Sequence, residues 1–367
     1  MMSKKKSSNP LDKINDEIKK LQDNKARFSF IIFDTKGMPN EELEYIYEMA
    51  LSLDEKGHQV RMLHTEPEFV GVKEWLGEKY ANLPHFNATT DTVDFSPSDF
   101  LIITDACCNI IGYTKDLPAK RILCVYNLNY LFESFPISIT LEDLRIHDVI
   151  VASDTIGSYV ASLFPSARIH KIQPKINNQF YDDGEPKKLI VNILSNSGSE
   201  IETLVKSFYL RYPSYKWVSF RPVRNIARDE AAKALKEGAI TVWMDNTTDV
   251  ALPPVEAMAA GSIVLAKAPE NNVEWGLTDG AFNYDFWWFT NTRECASLVA
   301  SAIYHYLHMN ISDELFKLMK NTAEKYRAPI NDEQLTMLAD KFISERKNEF
   351  EVALKTLKNN IAETENK

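Results

Sequence analysis

The chain has 367 residues, of which 44% are hydrophobic and 26% charged, and its formal net charge is −10 at pH 7. This length predicts about two domains, and the composition is ordinary for a protein that buries a full core. The acidic balance disfavours a protein that binds nucleic acid or anionic lipid over a wide surface. Only 12 glycines occur and no two are spaced as G-x-G, which excludes the dinucleotide fingerprint and the phosphate-binding P-loop.

Four cysteines, two of them adjacent at Cys107 and Cys108, form no C-x-x-C pair. This pattern is typical of reduced thiols rather than of a disulfide framework or a structural zinc site. No apolar run reaches the roughly 18 residues that a membrane-spanning helix needs. The Lys- and Ser-rich residues 1–10 are not followed by the apolar stretch of a secretory signal. We therefore expect a cytoplasmic protein.

Residues 1–26 are predicted to form a polar N-terminal tail that includes a short helix at 11–21. Strand-like and helix-like segments alternate after this tail. Residues 41–53 place their apolar side chains on one helical face. Short apolar runs, which are typical of buried parallel strands, occur at residues 28–33, 58–64, 100–104, 121–126 and 148–152. Repeated strand–helix units predict a parallel sheet covered by helices.

A polar, turn-rich stretch at residues 174–188 predicts a domain boundary. The alternation then resumes with a helix at 200–212 and with strands at 189–194, 216–220, 240–244 and 262–266. We predict an N-terminal domain at 27–175, a C-terminal domain at 176–311 and a helical segment at 312–367. The fold class is thus α/β, with two domains that face a cleft. Ligands of such sheets bind at the carboxyl ends of the strands.

The most informative segment is residues 245–266, DNTTDVALPPVEAMAAGSIVLA. Pro253 and Pro254 are expected to start a helix, because proline suits the first helical turn. Glu256 is then expected in that first turn, beside the positive end of the helix dipole, and Gly261 ends the helix. A carboxylate beside free amide N–H groups suits a ligand that carries both hydroxyl and phosphate groups. The alternative is that Glu256 only neutralises its own helix.

The stretch LPPVEAMAAGSIVLA resembles the donor-site segment of the GT-B glycosyltransferases, in particular the large retaining family with an E-x7-E motif. Residues 50–63, 148–160 and 172–181 are similar, in the same order, to the family's first helix and second strand, its last N-domain strand and its interdomain link. The resemblance covers roughly residues 28–310. It implies two Rossmann-like domains and transfer of a sugar from a nucleotide-diphosphate-sugar with retained anomeric configuration. It also implies no metal and no other cofactor.

The resemblance further implies roles for residues of the C-terminal domain. Glu256 matches the second Glu of the motif, which holds the ribose of the donor, and Pro254 precedes it at the helix start. Thr248 stands where the first Glu contacts the transferred sugar, and Asp249 lies next to it. Thr248 offers a hydroxyl group but not the charge of a carboxylate.

The cations that neutralise the leaving diphosphate in the family are missing from their usual place. After the first strand of the C-terminal domain this chain has SNSGSE, which begins at Ser195, the expected donor contact there. Arg221 and Arg224 follow the next predicted strand. They are expected to supply the positive charge, with pairing to local acids as the alternative.

The N-terminal domain is expected to bind the acceptor through the loops that follow its strands. Gly37 follows the first strand, and Asn127 stands where the family often has a histidine. Asp105 follows the strand at 100–104 and is either an acceptor-side base or hydroxyl ligand, or the N-cap of a helix. The expected partners are a nucleotide-sugar donor and a carbohydrate or other hydroxyl acceptor.

Two alternatives stay open. The missing Glu and the missing cations favour a GT-B-like protein that binds ligands or assists a partner without catalysis. A transferase that modifies a base in DNA is the second alternative, and the acidic charge weighs against it. No D-x-D motif is present, so the metal-dependent GT-A class is disfavoured.

Overall fold

The computed structural model describes residues 9–23, 25–245, 248–268, 273–278, 281–282, 287–327 and 330–365. Its first sheet contains β1 (Arg27–Ile31), β2 (Gln59–His64), β3 (His85–Asn87), β4 (Phe100–Thr104), β5 (Lys120–Val125), β6 (Asp148–Val151) and β7 (Arg168–Lys171). These strands are parallel and lie in the order β3-β2-β1-β4-β5-β6-β7. The inner strand β4 is buried along its whole length, as its sequence FLIIT requires.

The second sheet begins with β8 (Lys188–Leu194), β9 (Ser219–Pro222), β10 (Gly238–Trp243) and β11 (Ile263–Lys267). A short antiparallel pair follows, β12 (Leu277–Thr278) with β13 (Ala281–Phe282), and β14 (Trp287–Phe289) then returns to the sheet. The strands of this sheet are parallel in the order β14-β11-β10-β8-β9. The prediction of an α/β fold with two parallel sheets is therefore confirmed.

Helices cover both sheets. They are α1 (Pro10–Gln22), α2 (Glu41–Glu55), α3 (Glu78–Ala81), α4 (Leu128–Ser134), α5 (Asp154–Leu163), α6 (Gly198–Arg211), α7 (Arg228–Glu237), α8 (Leu252–Ala259), α9 (Thr292–Leu307), α10 (Asp313–Glu324) and α11 (Ile330–Glu365). Short 3-10 helices lie at Asp105–Thr114, Pro213–Tyr215 and Glu274–Gly276. The side chains of Asn40, Asn127, Ser153 and Ser197 accept hydrogen bonds from first-turn N–H groups of the helices that they precede. Such caps fix the point where each helix begins.

One predicted strand is wrong in its bounds. The segment predicted at residues 216–220 is a strand only from Ser219, because the 3-10 helix Pro213–Tyr215 and a turn occupy the preceding residues. Trp217 consequently lies outside the strand and is 59% exposed. Strands β3 and β7 were also not predicted, because they are short edge strands with half-buried, polar-rich sequences.

The C-terminal helices connect the two sheets. Helix α10 packs on α8, and α11 returns to the first sheet and packs against α1 and α2. Lys175 lies between α11 and α2. Its Nζ is 2.9 Å from Oδ1 of Asp332 in α11 and 3.1 Å from Oε2 of Glu48 in α2. None of the described helices is both long and apolar enough to cross a membrane.

Three carboxylates join the two halves of the molecule across the gap between the sheets. Asp249, which follows β10, accepts a 2.7 Å hydrogen bond from the first N–H group of α4 on the first sheet. Glu274 accepts a hydrogen bond from the first N–H group of α5 on the same side. In the opposite direction, Oε2 of Glu41 in α2 lies 3.4 Å from the first backbone nitrogen of α8. Each contact places a carboxylate at the positive end of a helix of the other half.

Candidate functional site

A cavity of about 190 Å³ lies between the carboxyl ends of the two sheets. The loops after β1, β5, β8, β9 and β10 contribute to its wall, as expected for the ligand site of parallel α/β sheets. From the first sheet, its polar lining includes Asn40, Glu41, Glu42, Glu44, Asn127 and Tyr130. From the second sheet, it includes Ser195, Arg224, Arg228, Asp245, Thr248 and Glu256.

Glu256 lines the cavity, but not from the first turn of its helix. Helix α8 begins at Leu252, because Ala251 adopts a left-handed conformation with φ of 54° and the chain turns there, so the prediction of a first-turn position is wrong. Glu256 is the fifth residue of α8 and is 1% exposed. The first N–H group of α8 bonds to Glu41 instead. The carboxylate of Glu256 therefore forms part of the cavity lining and does not cap its own helix.

Arg228, the first residue of α7, forms an ion pair with Glu256. Its Nε also lies 3.0 Å from Oε2 of Glu44 in α2, and its guanidinium group stands over the ring of Phe180, 4.7 Å from the centroid. Burial raises the pKa of Glu256, and the charge of Arg228 opposes that rise. Arg228 thus connects Glu256, on a helix of the second sheet, to Glu44, on a helix of the first sheet.

Glu44 is buried and Glu41 is half-buried, with too little positive charge nearby to balance their carboxylates. Burial raises the pKa of Glu41 to about 7, and the nearby charge of Glu256 adds to the effect. Burial raises the pKa of Glu44 to about 8, which Arg228 opposes and the neighbouring carboxylates promote. The Tyr126 hydroxyl donates a 3.1 Å hydrogen bond to Glu41. Near neutral pH, small changes in the surroundings of Glu41 and Glu44 therefore alter how far each carboxyl group is protonated.

Asp105 lies behind the cavity wall rather than in it. Its Oδ2 accepts hydrogen bonds from the backbone N–H groups of Tyr126 at 2.8 Å and Asn127 at 2.7 Å, and Oδ1 accepts one from Ala106 at 2.9 Å. It is 0% exposed and begins a 3-10 helix whose N-cap is Thr104. The prediction that Asp105 is an acceptor-side base, or the N-cap itself, therefore does not fit its position. The carboxylate instead holds the turn between β5 and α4.

Glu42 stands in front of Asp105 and lines the cavity. It is 2% exposed, and its carboxyl group shares a hydrogen bond with the carboxyl group of Asp105. Burial and the neighbouring Asp105 carboxyl hold the pKa of Glu42 well above its usual range. Asp105 has three backbone donors to stabilise its charge, so the proton of this pair belongs on Glu42.

The two candidate arginines occupy different places. Arg224 lines the cavity beside the start of α6, where a Cβ atom on Gly198 would lie 2.8 Å from Nη1 of Arg224. Nε of Arg224 is buried without a hydrogen-bond partner in the part of the chain that the structure describes. Arg221 lies within β9 and is not part of the lining. Its guanidinium group bonds to Asn192, to Glu237 and to the backbone oxygen of Ala234.

Arg221 therefore pairs with local groups at the far end of α7 and lies outside the candidate site. Arg224 keeps its position beside a helix N-terminus, where backbone N–H groups and a guanidinium group together favour an anion.

The other predicted residues divide between the cavity and its supports. Ser195, Thr248 and Asn127 line the cavity, and Oγ1 of Thr248 is buried without a partner among the described residues. Asn127 also caps α4, accepting a 2.9 Å hydrogen bond from Asn129. Asp249 is 2% exposed and its carboxylate bonds to the start of α4, so it does not reach the cavity.

Gly37 and Pro254 lie close to the cavity without forming its surface. Gly37 has φ of 79° in the turn between β1 and α2, and the residues after it, Pro39 and Asn40, form the wall. Pro254 is buried in α8, and its neighbour Pro253 faces the cavity. Both residues shape the site through the backbone.

The carboxylates of α2 and the guanidinium group of Arg228 are site residues that were not predicted from the sequence. The only signal was a helix with EELE at its start, directly after a buried strand. Glu42, Glu44 and Glu48 are all buried in α2, which a surface helix would not permit.

Comparison with solved structures places this architecture among GT-B glycosyltransferases. The sucrose-phosphate synthase of Thermosynechococcus elongatus superposes with a TM-score of 0.61 and 11% identity, over 87% of this chain and 100% of that chain. The pneumococcal O-GlcNAc transferase GtfA, in complex with UDP and GlcNAc, gives 0.62 and 10% over 88% and 99%.

An alpha-glucosyltransferase in complex with UDP and a 13-mer DNA gives a TM-score of 0.57 and 10% identity over 87% of this chain and 99% of that chain. No family model matches the chain, and no curated protein matches it. The chain thus has a GT-B glycosyltransferase-like fold, as the resemblance in its sequence implied.

Proposed function

We propose that the chain is a glycosyltransferase that moves a sugar from a nucleotide-diphosphate-sugar to a hydroxyl acceptor, without a metal ion and with retained anomeric configuration. The observation that carries this proposal is the cavity between the two sheets, in which Glu256 and Arg224 both lie on the second sheet's side. UDP in two of the similar structures adds support for a nucleotide donor.

In the proposed donor complex, Glu256 accepts hydrogen bonds from the ribose hydroxyls. Arg228 has the role of keeping Glu256 ionised, since burial alone would favour the protonated acid. Arg224 and the N-terminus of α6 face the diphosphate. Their positive charge stabilises the negative charge that develops on the leaving group, an effect commonly worth several kcal/mol.

The sugar would then lie near Thr248, and the acceptor would approach from the first sheet's side. The present cavity of about 190 Å³ is smaller than the roughly 300–1,000 Å³ of typical ligand pockets. A nucleotide-sugar therefore requires the two halves to move apart before it binds.

Donor binding is tested first, by thermal shift with UDP-, GDP-, ADP- and dTDP-sugars, since a ligand that binds only the folded state raises its apparent stability. Turnover is then measured as release of the nucleotide diphosphate. Arg224→Met is expected to lower kcat by about 100-fold, the effect of removing one donor from a developing charge. Glu256→Gln is expected to weaken donor binding by about tenfold.

Arg221→Met is the matched control, because it removes the same group outside the cavity. It is expected to retain turnover in the temperature range where it is folded. Equal losses in Arg221→Met and Arg224→Met would contradict the assignment of Arg224. If the protein neither binds nor turns over any of the donors tested, the proposed function is contradicted.

A second candidate function is a GT-B-like protein that binds a nucleotide without catalysis. Thr248 in place of a carboxylate favours it, because the hydroxyl cannot stabilise positive charge on the sugar. Tight binding of a nucleotide-sugar without turnover would support this candidate. A DNA acceptor is not favoured, since the chain carries a net charge of −10 and the cavity is rich in carboxyl groups.

A further inference from the structure

Arg228 joins the first half of the molecule, which contains the first sheet, to the second half, which contains the second sheet. Its backbone N–H group donates a 3.0 Å hydrogen bond to the carbonyl oxygen of Trp75 in the first half. Its Nε lies 3.0 Å from Oε2 of Glu44 on α2, and the same guanidinium group forms the ion pair with Glu256 on α8. Glu41 approaches from α2, with Oε2 3.4 Å from the first backbone nitrogen of α8. Among the described contacts, one guanidinium group thus faces three carboxyl groups that come from both halves.

The balance of charge in this cluster changes when the two halves move apart. Arg228 and Glu256 lie on α7 and α8 of the same half, so they remain together as one cation with one carboxylate. Glu41 and Glu44 lie on α2 of the other half, and they lose the cover of the second half when the gap opens. A hydrated carboxyl group ionises near its ordinary pKa, whereas a buried one without its own cation holds its proton to a higher pH. Separation near neutral pH therefore releases protons from Glu41 and Glu44.

The surroundings of Glu41 and Glu44 support this direction. Burial raises the pKa of Glu41 to about 7 and the pKa of Glu44 to about 8. The Tyr126 hydroxyl and the first N–H group of α8 donate to Glu41 and oppose the rise without cancelling it. Burial also raises the pKa of Tyr80 and Tyr126 above 10, so neither tyrosine titrates near neutral pH. The described titratable and charged groups that face the two carboxyl groups are Glu48 on α2, Tyr80 on α3, Tyr126 after β5, Arg228 on α7 and Glu256 on α8.

We infer that this cluster is a proton-dependent latch: acidic pH holds the two halves together, and deprotonation of Glu41 and Glu44 favours their separation. The latch consists of Arg228, Glu41, Glu44 and Glu256. Because the closed form binds more protons than the open form, the equilibrium constant for opening rises with pH, by up to about tenfold per pH unit for each proton released. The latch concerns the contact between the halves rather than the reaction, so it stands apart from the proposed function and is tested without a ligand.

Hydrogen exchange of backbone amides in the full chain measures this opening even where the open form is rare. The reporters are the amides of Leu128 and Arg228, which donate across the gap to Asp249 and to Trp75. Each rate is divided by that of an unprotected amide at the same pH, since exchange itself becomes faster as pH rises. We expect the protection of both reporters to fall at least about tenfold between about pH 5.5 and about pH 8.

Amides of β4 distinguish separation of the halves from unfolding. This strand is buried along its whole length, so its amides exchange only when the first half unfolds. Their protection is expected to exceed that of the two reporters at every pH. Reporter protection that is flat or rises with pH, or that equals the protection of β4 throughout, would overturn the inference.

Glu41→Gln keeps an oxygen that accepts a hydrogen bond from the amide of Leu252 and removes the proton that Glu41 exchanges. It is expected to increase reporter protection by at least about tenfold near pH 8, and by less near pH 5.5. Glu55→Gln, at the exposed end of the same helix, is the matched control and is expected to leave the pH response unchanged. An unchanged pH response in a Glu41→Gln protein that melts cooperatively would contradict the role of Glu41. If that variant does not fold, the wild-type pH profile decides.

Failure of the latch differs from failure of the proposed function. Flat reporter protection in a protein that turns over a nucleotide-sugar overturns the latch alone. A chain that neither binds nor cleaves any nucleotide-sugar, but whose reporter protection falls with pH as expected, overturns the proposed function alone.

Discussion

Replacing Arg228 by methionine is expected to destabilise the protein strongly, and more so at high pH. Arg228 is the only cation within the described contacts of the cluster formed by Glu41, Glu44 and Glu256. Methionine fills a similar volume and keeps the contact with Phe180, so the variant removes mainly the charge. The three carboxyl groups then have to be protonated, or stay buried with uncompensated charge.

The pH dependence follows from the raised pKa values of the carboxyl groups. Burial raises the pKa of Glu41 from 4.5 to about 7. The free energy of proton binding to Glu41 is therefore about 3 kcal/mol more favourable in the folded state than in the unfolded state. The folded state holds this proton more tightly than the unfolded chain, so the free energy of unfolding falls as pH rises from about 4.5 towards 7. Glu44, with a pKa of about 8, extends the fall to higher pH. Without Arg228, both pKa values rise further and the fall is steeper.

We therefore expect Arg228→Met to lower the free energy of unfolding by about 3–5 kcal/mol near pH 8, as when one partner of a buried ion pair is removed. Near pH 5 the carboxyl groups are protonated, and the loss is expected to decrease to about 1–2 kcal/mol. Urea unfolding across this pH range, followed by circular dichroism, measures both values. Arg293→Met, an exposed arginine at the start of α9, is the control and is expected to change stability by less than about 0.5 kcal/mol. Equal losses at pH 5 and pH 8 would refute the explanation by carboxylate charge.

Two further predictions concern stability. Asp249→Ala removes the carboxylate that caps α4 from the other half and is expected to cost about 1–2 kcal/mol in urea unfolding, whereas a loss below about 0.5 kcal/mol would mean that water replaces the cap fully. Gly238→Ala is expected to cost about 1–3 kcal/mol, because the added Cβ would lie 2.3 Å from Nδ2 of Asn192, a buried side chain held by hydrogen bonds to Ala234 and Arg221. An unchanged urea midpoint in Gly238→Ala would show that Asn192 moves freely.

The sheets were predictable from the sequence because their inner strands are continuous apolar runs. The sequences of β4 and β10 can be buried on both faces only within a sheet that helices cover on both sides. The edge strands β3 and β7 were not predictable, since half-buried strands of three or four residues carry no distinctive pattern. The strand near Trp217 was placed too early because its apolar residues do not reveal the 3-10 helix before it.

The candidate site was predictable only in part, for a related reason. Glu256 could be identified from its local motif, and Arg224 from its place after a strand. Which of the two arginines reaches the cavity depends on where β9 ends, and the predicted strand ended two residues too early. The pairing of Arg228 with Glu44 joins residues far apart in sequence, so no local pattern indicates it. Glu42 has the local sequence of an ordinary helix start, and only the fold shows that it is buried.

The carboxylates that cap helices across the gap have a consequence for how the molecule opens. When the halves part, the first N–H groups of α4, α5 and α8 lose their partners together, and each must find water or an incoming ligand. Separation therefore removes three helix caps, each commonly worth about 0.5–2 kcal/mol. No ligand is expected to contact Asp249 or Glu274. A substitution at either residue would nevertheless change how readily a ligand enters the gap between the halves.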